Sequence, residues 1–285
     1  EEGVSVSYVV LEFTAPFHVG AGGLGDTYRY VPSFTIYGAL EALRHMGVDH
    51  GVRRVSSAYP LVKHGGDLKP SVPTPAFLPR SLLSKIPQGV PPPKAVKKLK
   101  KLRYIPLDCL SRLDSFEVVK KGEDDVDILC DGKPIEAPEP RLVVVERNVL
   151  SRHLGNADVY RVVAAMPTTY YVVYYEGGGR WVFELLGKIG LGGERSSGLG
   201  KFNVMCEGSA PAGSGDRALL LGVGRVREPR GDLHVEYVAW NCSHGLVGPT
   251  SVLMDGSVLE KDSLEFEDIV TERCVVRLSP LYLWI

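Results

Sequence analysis

Apolar residues first alternate with polar ones and then run together in the opening stretch VSVSYVVLEF, Val4 to Phe13. That pattern predicts a central strand with one face wholly buried. A glycine-rich loop follows, and PSFTIYGALEALRHMG then places Ile36, Tyr37, Leu40 and Leu43 on one helical stripe, with Ser33 able to cap the start and Gly47 suited to the stop. From His50 to Pro140 the periodicity breaks up into proline-rich and charged stretches such as PTPAFLPR, IPQGVPPPKAVKKLKKLRYIPL and KKGEDDVDILCDGKP. Regular structure is expected to resume only near Arg141, so about ninety residues read as a functional insertion.

Beyond the insertion, VVVERNVL, DVYRVVAAM and TTYYVVYY read as strands, RWVFELLGKIG as a short helix with Val182, Leu185, Leu186 and Ile189 on one face, and KFNVMC as a further strand. The order strand, helix, two strands, helix, strand is that of the βαββαβ ferredoxin-like unit. Strand-like GDRALLLGVGRV, HVEYVAW and TERCVVRL follow, and fit a smaller second unit of the same kind. The expected class is therefore α+β, tandem ferredoxin-like (RRM-like) folds, with residues 1–207 as the first domain, an insertion at about 50–140, and 208–285 as the second. Tyrosines in TTYYVVYY suit core or interface packing, or base stacking on a sheet.

Composition adds little, because 44% hydrophobic and 24% charged residues describe an ordinary globular chain. No apolar run reaches eighteen residues and the start lacks a signal-like pattern, which sets the expectation of a cytoplasmic protein with no membrane partner. Five scattered cysteines without a C-x-x-C pair predict reduced, structural thiols and no metal site; Cys242 with His244 lacks the partners of a closed zinc site. Charge is more informative than its net value of −1. Lys94 to Arg112 holds seven basic residues against Asp108, whereas Glu123 to Glu139 and Asp255 to Glu272 hold seven acids each against one lysine. Such segregation allows a basic face toward RNA or a neighbouring chain.

The chemistry concentrates in GLGGERSSGLGKF, Gly190 to Phe202, with five glycines, two serines, Arg195 and Lys201 after a helix. A helix C-terminus is the wrong end of the dipole for an anion, so a phosphate there needs backbone N–H groups and the two cations. The segment does not fit the G-x-x-x-x-G-K-[ST] pattern, and GAGGLG (Gly20 to Gly25) matches G-x-G-x-x-G but is followed by DTYRYVPS rather than a helix. A tight helix-to-strand turn needs only one or two glycines.

GLGGERSSGLGKF resembles the signature loop of the RAMP superfamily, the ferredoxin-like RNA-binding subunits of CRISPR effector complexes. PFHVGAGGLGD with PSFTIYGALEAL, VSSAYPLV, PAFLPR, KKLKKLRYIPLDCL, ERNVLSRHLGNADVY and MDGSVLE resemble, in order, the type III-A (Csm) subunit that holds the CRISPR RNA 5′ handle. Phe34 departs from the small acidic residue common in that family. The resemblance implies a non-catalytic, antiviral-defence subunit without cofactor or metal, whose partners are the crRNA 5′ handle, the large polymerase-like subunit and a backbone RAMP subunit of the ribonucleoprotein. It also implies RNA contacts from His18, Gly20, Gly22 and Gly23, from Ser33 and Tyr37, from Arg147 and Arg152, and from Gly192, Gly193, Arg195, Ser196, Ser197, Gly198 and Lys201. The alternative within the superfamily is a metal-independent endoribonuclease that processes CRISPR RNA precursors, with His18 or His45 as general acid or base. In that subfamily the glycine loop lies close to the C-terminus, whereas here 83 residues follow Phe202.

Overall fold

The computed structural model describes residues 6–20, 25–122, 125–150, 157–211, 213–242, 245–271 and 274–285. Four strands, Val6–Phe13, Val52–Val55, Tyr171–Gly177 and Phe202–Ala210, build an antiparallel central sheet whose spatial order is fourth, first, third, second, with Tyr59–Pro60 beside the third. Helices Ser33–His45 and Arg180–Ile189 follow the first and third strands. They bury one sheet face, where Val9, Leu11 and Val173 meet Ile36, Leu40, Leu43, Val182, Phe183 and Leu186.

On the opposite face Val6, Val10, Val172 and Tyr174 join a second core that extends into the insertion and to Leu219, Leu221 and Val258. Burial on both faces is why the strands turn apolar instead of continuing to alternate. Each large side chain buried this way contributes roughly 1.5–3 kcal/mol. Tyr171 and Tyr174 lie fully inside, so this part of TTYYVVYY packs the core rather than meeting a base.

The insertion is folded, which corrects the expectation of irregular chain up to Arg141. Strands Asp67–Lys69, Val62–His64, Lys133–Glu136, Asp125–Cys130 and Phe116–Lys121 form a second antiparallel sheet in that order. Strands of three to six residues between prolines carry too little periodicity to read from sequence. Helix Pro92–Lys101 packs through Ala95 and Leu99 and begins with proline, where no intrahelical N–H is needed. Lysines this crowded call for an anion or an acidic surface to relieve their repulsion. Lys98 meets such a surface in Asp125 at 3.2 Å and Asp127 at 3.7 Å on the neighbouring strand, while Lys97, Lys100, Lys101 and Arg103 stay exposed.

Cys109 and Cys130, both buried, are joined by a disulfide. Cys274 is also disulfide-bonded, and Cys206 is free and exposed. The expectation of reduced cysteines is therefore corrected: the 3-10 segment Leu107–Ser115, packed beside the strand Asp125–Cys130, brings together sulfurs that lie 21 residues apart and share no local motif.

Strands Arg141–Leu150 and Ala157–Met166 pair with each other as a ribbon, from Arg141 opposite Met166 to Leu150 opposite Ala157. At about 3.4 Å per residue the ribbon spans roughly 30 Å. It presents Leu142, Val144 and Val159 to solvent.

The second unit has strands Arg217–Leu220, Gly231–Asp232, Val258–Glu260 and Tyr282–Trp284, again ordered fourth, first, third, second. Among its described residues there is no α-helix, only the 3-10 turn Lys261–Ser263. Ribbons lie between its strands: Val235–Cys242 with Gly245–Leu253 between the second and third, and Ile269–Thr271 with Cys274–Val276 between the third and fourth. Among all described residues, no helix is long and apolar enough to cross a membrane.

Candidate nucleic-acid interface

The end of the first strand, the glycine-rich segment and the ribbon 141–166 meet in one place. Phe17 exchanges backbone hydrogen bonds with Ala165 on the ribbon (2.9 and 2.7 Å), and Gly193 N–H donates to the His18 carbonyl at 2.8 Å. His18 thus sits between ribbon and loop. Its Nδ1–H donates to the Val163 carbonyl at 2.7 Å, and the residue is 5% exposed. The implied RNA contact from its side chain is corrected to a buried strut, because that ring is committed to the ribbon backbone.

Close approach, more than flexibility, accounts for the glycines. Gly192 has φ +92°, and a Cβ there would collide with the His18 carbonyl oxygen. A Cβ on Gly200 would strike the Leu191 carbonyl, the partner segment to which Gly200 is joined by the Leu191 N–H to Gly200 O bond of 2.9 Å. Between these anchors Arg195–Ser197 form a 3-10 turn, preceded by Glu194 at φ 55° and followed by Gly198 at φ 91°. Ser197 Oγ donates to the Glu194 carbonyl at 2.7 Å and closes the turn.

Two ribbon side chains brace it from outside: Arg147 Nη2 donates to the Ser197 carbonyl at 3.3 Å, and Tyr160 Oη donates to Glu194 Oε2 at 3.1 Å. Tyr160 was not singled out in the sequence, although it closes the stretch ERNVLSRHLGNADVY.

The result is a braced loop with Arg195, Ser196, Ser197 and Lys201 exposed. Among the described residues neither Arg195 nor Lys201 forms an ion pair, so two cations face solvent beside two hydroxyls. Beside the loop, a groove of about 800 Å³ runs to the first helix and is lined by His45, Met46, Gly192, Gly193, Arg195 and Ser196. Gly20 is exposed and bridges to Thr27. Gly22, Gly23 and Arg152 lie outside the described residues.

Ser33 and Tyr37 are not part of this surface. Ser33 is completely buried; its N–H donates to Ser57 Oγ and its Oγ accepts from the Val223 N–H, both at 2.9 Å. Pro32, not Ser33, occupies the helix cap. Tyr37 Oη donates to the Ser279 carbonyl at 2.9 Å and accepts from Val55 N–H at 3.1 Å. Both implied RNA contacts are corrected to bonds that hold the second unit against the first, a role visible only once that unit is docked. Phe34 does similar work, meeting Trp240 edge-on at 5.9 Å.

One trio of metal-type ligands comes together among the described residues. His64, Cys109 and Cys130 place their ligand atoms within 4.8 Å of one another, but the two sulfurs are bonded to each other and His64 Nε2–H donates to the Cys130 carbonyl at 3.0 Å. Thiolates are what such a metal site would need.

No family model and no curated protein matches the chain. Its fold does match solved structures of CRISPR proteins. A chain from the crystal structure of a Csm1–Csm4 cassette in complex with AMPPNP aligns at a TM-score of 0.52 and 18% identity, over 99% of this chain and 97% of that one. A chain from a Csm3–Csm4 subcomplex of the type III-A CRISPR-Cas interference complex aligns at 0.52 and 11% identity, over 99% of both. A cassette with one ATP gives 0.51 and 16%, over 99% and 97%. The chain shares the overall fold of these complex components from end to end.

Proposed function

We propose that the chain is a non-catalytic, cytoplasmic crRNA-binding subunit of a type III-A CRISPR effector complex. In this reading it holds the 5′ handle and contacts both the polymerase-like subunit and a backbone RAMP subunit. Both units are read as ferredoxin-like, the second having kept the strand order and replaced its helices. The observation that carries the reading is the braced loop, which sets Arg195, Lys201, Ser196 and Ser197 toward solvent, the two cations without an ion-pair partner among the described residues, in a chain with the fold of type III-A components.

Chemically, the two cations neutralise phosphates, the hydroxyls and loop N–H groups supply donors, and the ribbon extends the surface along a strand. A basic loop of this kind binds backbone, and its affinity falls with salt as counterions are released. Replacing Arg195 and Lys201 by Ala should remove two phosphate contacts and flatten the slope of log affinity against log salt by about 1.4 for single-stranded RNA. Fluorescence anisotropy with a repeat-derived RNA at several salt concentrations measures it. An unchanged slope would overturn the assignment.

A further inference from the structure

A second concavity, of about 660 Å³, opens where three parts of the chain meet: Tyr28 and Tyr30 after the first loop, Thr74, Lys100, Arg103 and Tyr104 of the insertion, and His234, Glu236 and Asp255 of the second unit. Its volume falls in the roughly 300–1,000 Å³ range of small-ligand sites.

The wall is aromatic and fixed. Tyr28 and Tyr30 rings meet edge-on at 5.8 Å, Tyr30 stacks on Tyr59 at 6.3 Å, and Tyr59 tilts against Tyr104 at 5.6 Å. Asp255 locks the series by accepting from Tyr30 Oη at 2.7 Å and Tyr59 Oη at 2.5 Å. Rings held this way lose little entropy when a ligand arrives.

Polar chemistry sits at the edges. Lys100 and Arg103 are exposed and form no ion pair among the described residues, and Thr74 Oγ1 is buried without a hydrogen-bond partner. On the far side His234 and Glu236 lie 3.3 Å apart. Flat π surfaces, an unsatisfied hydroxyl and two free cations together suit a heteroaromatic base with an attached phosphate.

The cleft also continues the interface already described. Tyr28 N–H donates to the Val19 carbonyl at 2.9 Å, and the adjacent His18 carbonyl accepts from Gly193 of the glycine loop. We infer that this cleft receives one unstacked base of the RNA strand bound at the loop, against Tyr28 and its neighbours, with the flanking phosphate toward Lys100 and Arg103. This rests on the RNA-binding reading of the loop.

The test uses the full chain and repeat-derived RNAs carrying 2-aminopurine at one position at a time. One position should be quenched on binding. Tyr28→Leu should restore its fluorescence and weaken binding about tenfold, in the range of one lost base-aromatic stack. Arg103→Gln, at an exposed site that leaves the core intact, should weaken binding of the same RNA severalfold. Arg195→Ala with Lys201→Ala should lower affinity yet keep the quench at saturation.

If RNA binds with the expected salt dependence but no quench responds to Tyr28→Leu or Arg103→Gln, the cleft assignment fails and the loop reading stands. If no RNA binds at all, the loop reading fails and takes this one with it. If free nucleoside monophosphate abolishes the quench at low concentration without releasing the RNA, the cleft is a free-nucleotide site and the inference is wrong.

Discussion

Replacing Cys109 and Cys130 together by Ala should destabilise the insertion by an amount set mainly by chain entropy. The bridge closes a loop of 21 residues. The loop-closure relation then gives about 3 kcal/mol at 25 °C, or roughly two orders of magnitude in the unfolding equilibrium. Both residues are fully buried among Phe116, Val118, Val126 and Ile128, so alanine also loses some packing and the measured value should not fall below this figure through transfer terms. Urea unfolding of the oxidised wild type, the reduced wild type and the double variant is the direct assay, combined with hydrogen exchange of residues 104–136. Protection should fall there first and leave the sheet formed by Val6–Phe13 and Tyr171–Gly177 largely unchanged. Equal midpoints for oxidised wild type and double variant would refute the reasoning. So would ready alkylation of Cys109 and Cys130 in unfolded, unreduced protein.

Three further outcomes are expected. Gly192→Ala should cost about 1–3 kcal/mol from its left-handed backbone and the collision with the His18 carbonyl, whereas Gly198→Ala, with φ +91° but open space around it, should cost less; thermal melts of both variants compare them. Burial raises the Asp255 carboxyl above its ordinary range, against hydrogen bonds from Ser57, Tyr59 and Tyr30 that lower it. A raised group holds its proton more tightly in the folded state, so it favours folding at low pH and loses that advantage as pH rises through the raised value; Asp255→Asn should therefore gain stability relative to wild type from pH ~4 upward, in urea midpoints taken along a pH series. Purified protein should leave a repeat-containing RNA intact, and cleavage abolished by His45→Ala would instead assign catalysis to the groove beside Arg195.

Local patterns that survive packing were legible in the sequence. The opening strand, the helix from Ser33, the short helix ending near Ile189 and the glycine-rich segment all stand close to where periodicity and glycine content put them. What failed depends on contacts distant in sequence. Ser33 looked like a helix cap because nothing local shows Val223 arriving at its hydroxyl. His18 looked available because the ribbon that buries it lies 145 residues away. The insertion looked irregular because three-residue strands and a disulfide, rather than long amphipathic stretches, hold it together. Within the candidate site, the exposed cations Arg195 and Lys201 were readable as chemistry, while Tyr160 and the bracing role of Arg147 required the ribbon's register.

Two sheets share one strand order, and each has a ribbon between its second and third strands. The second unit, which has no α-helix among its described residues, packs on the helix Ser33–His45 of the first: Tyr37 bonds to Ser279, Glu41 pairs with Arg277, and Ser33 bonds to Val223. Leu219, Leu221, Val258 and Leu281 meanwhile belong to the same core as Val6 and Val172. Two sheets that share one core in this way act as one folding unit, and neither is expected to stand when cut from the other.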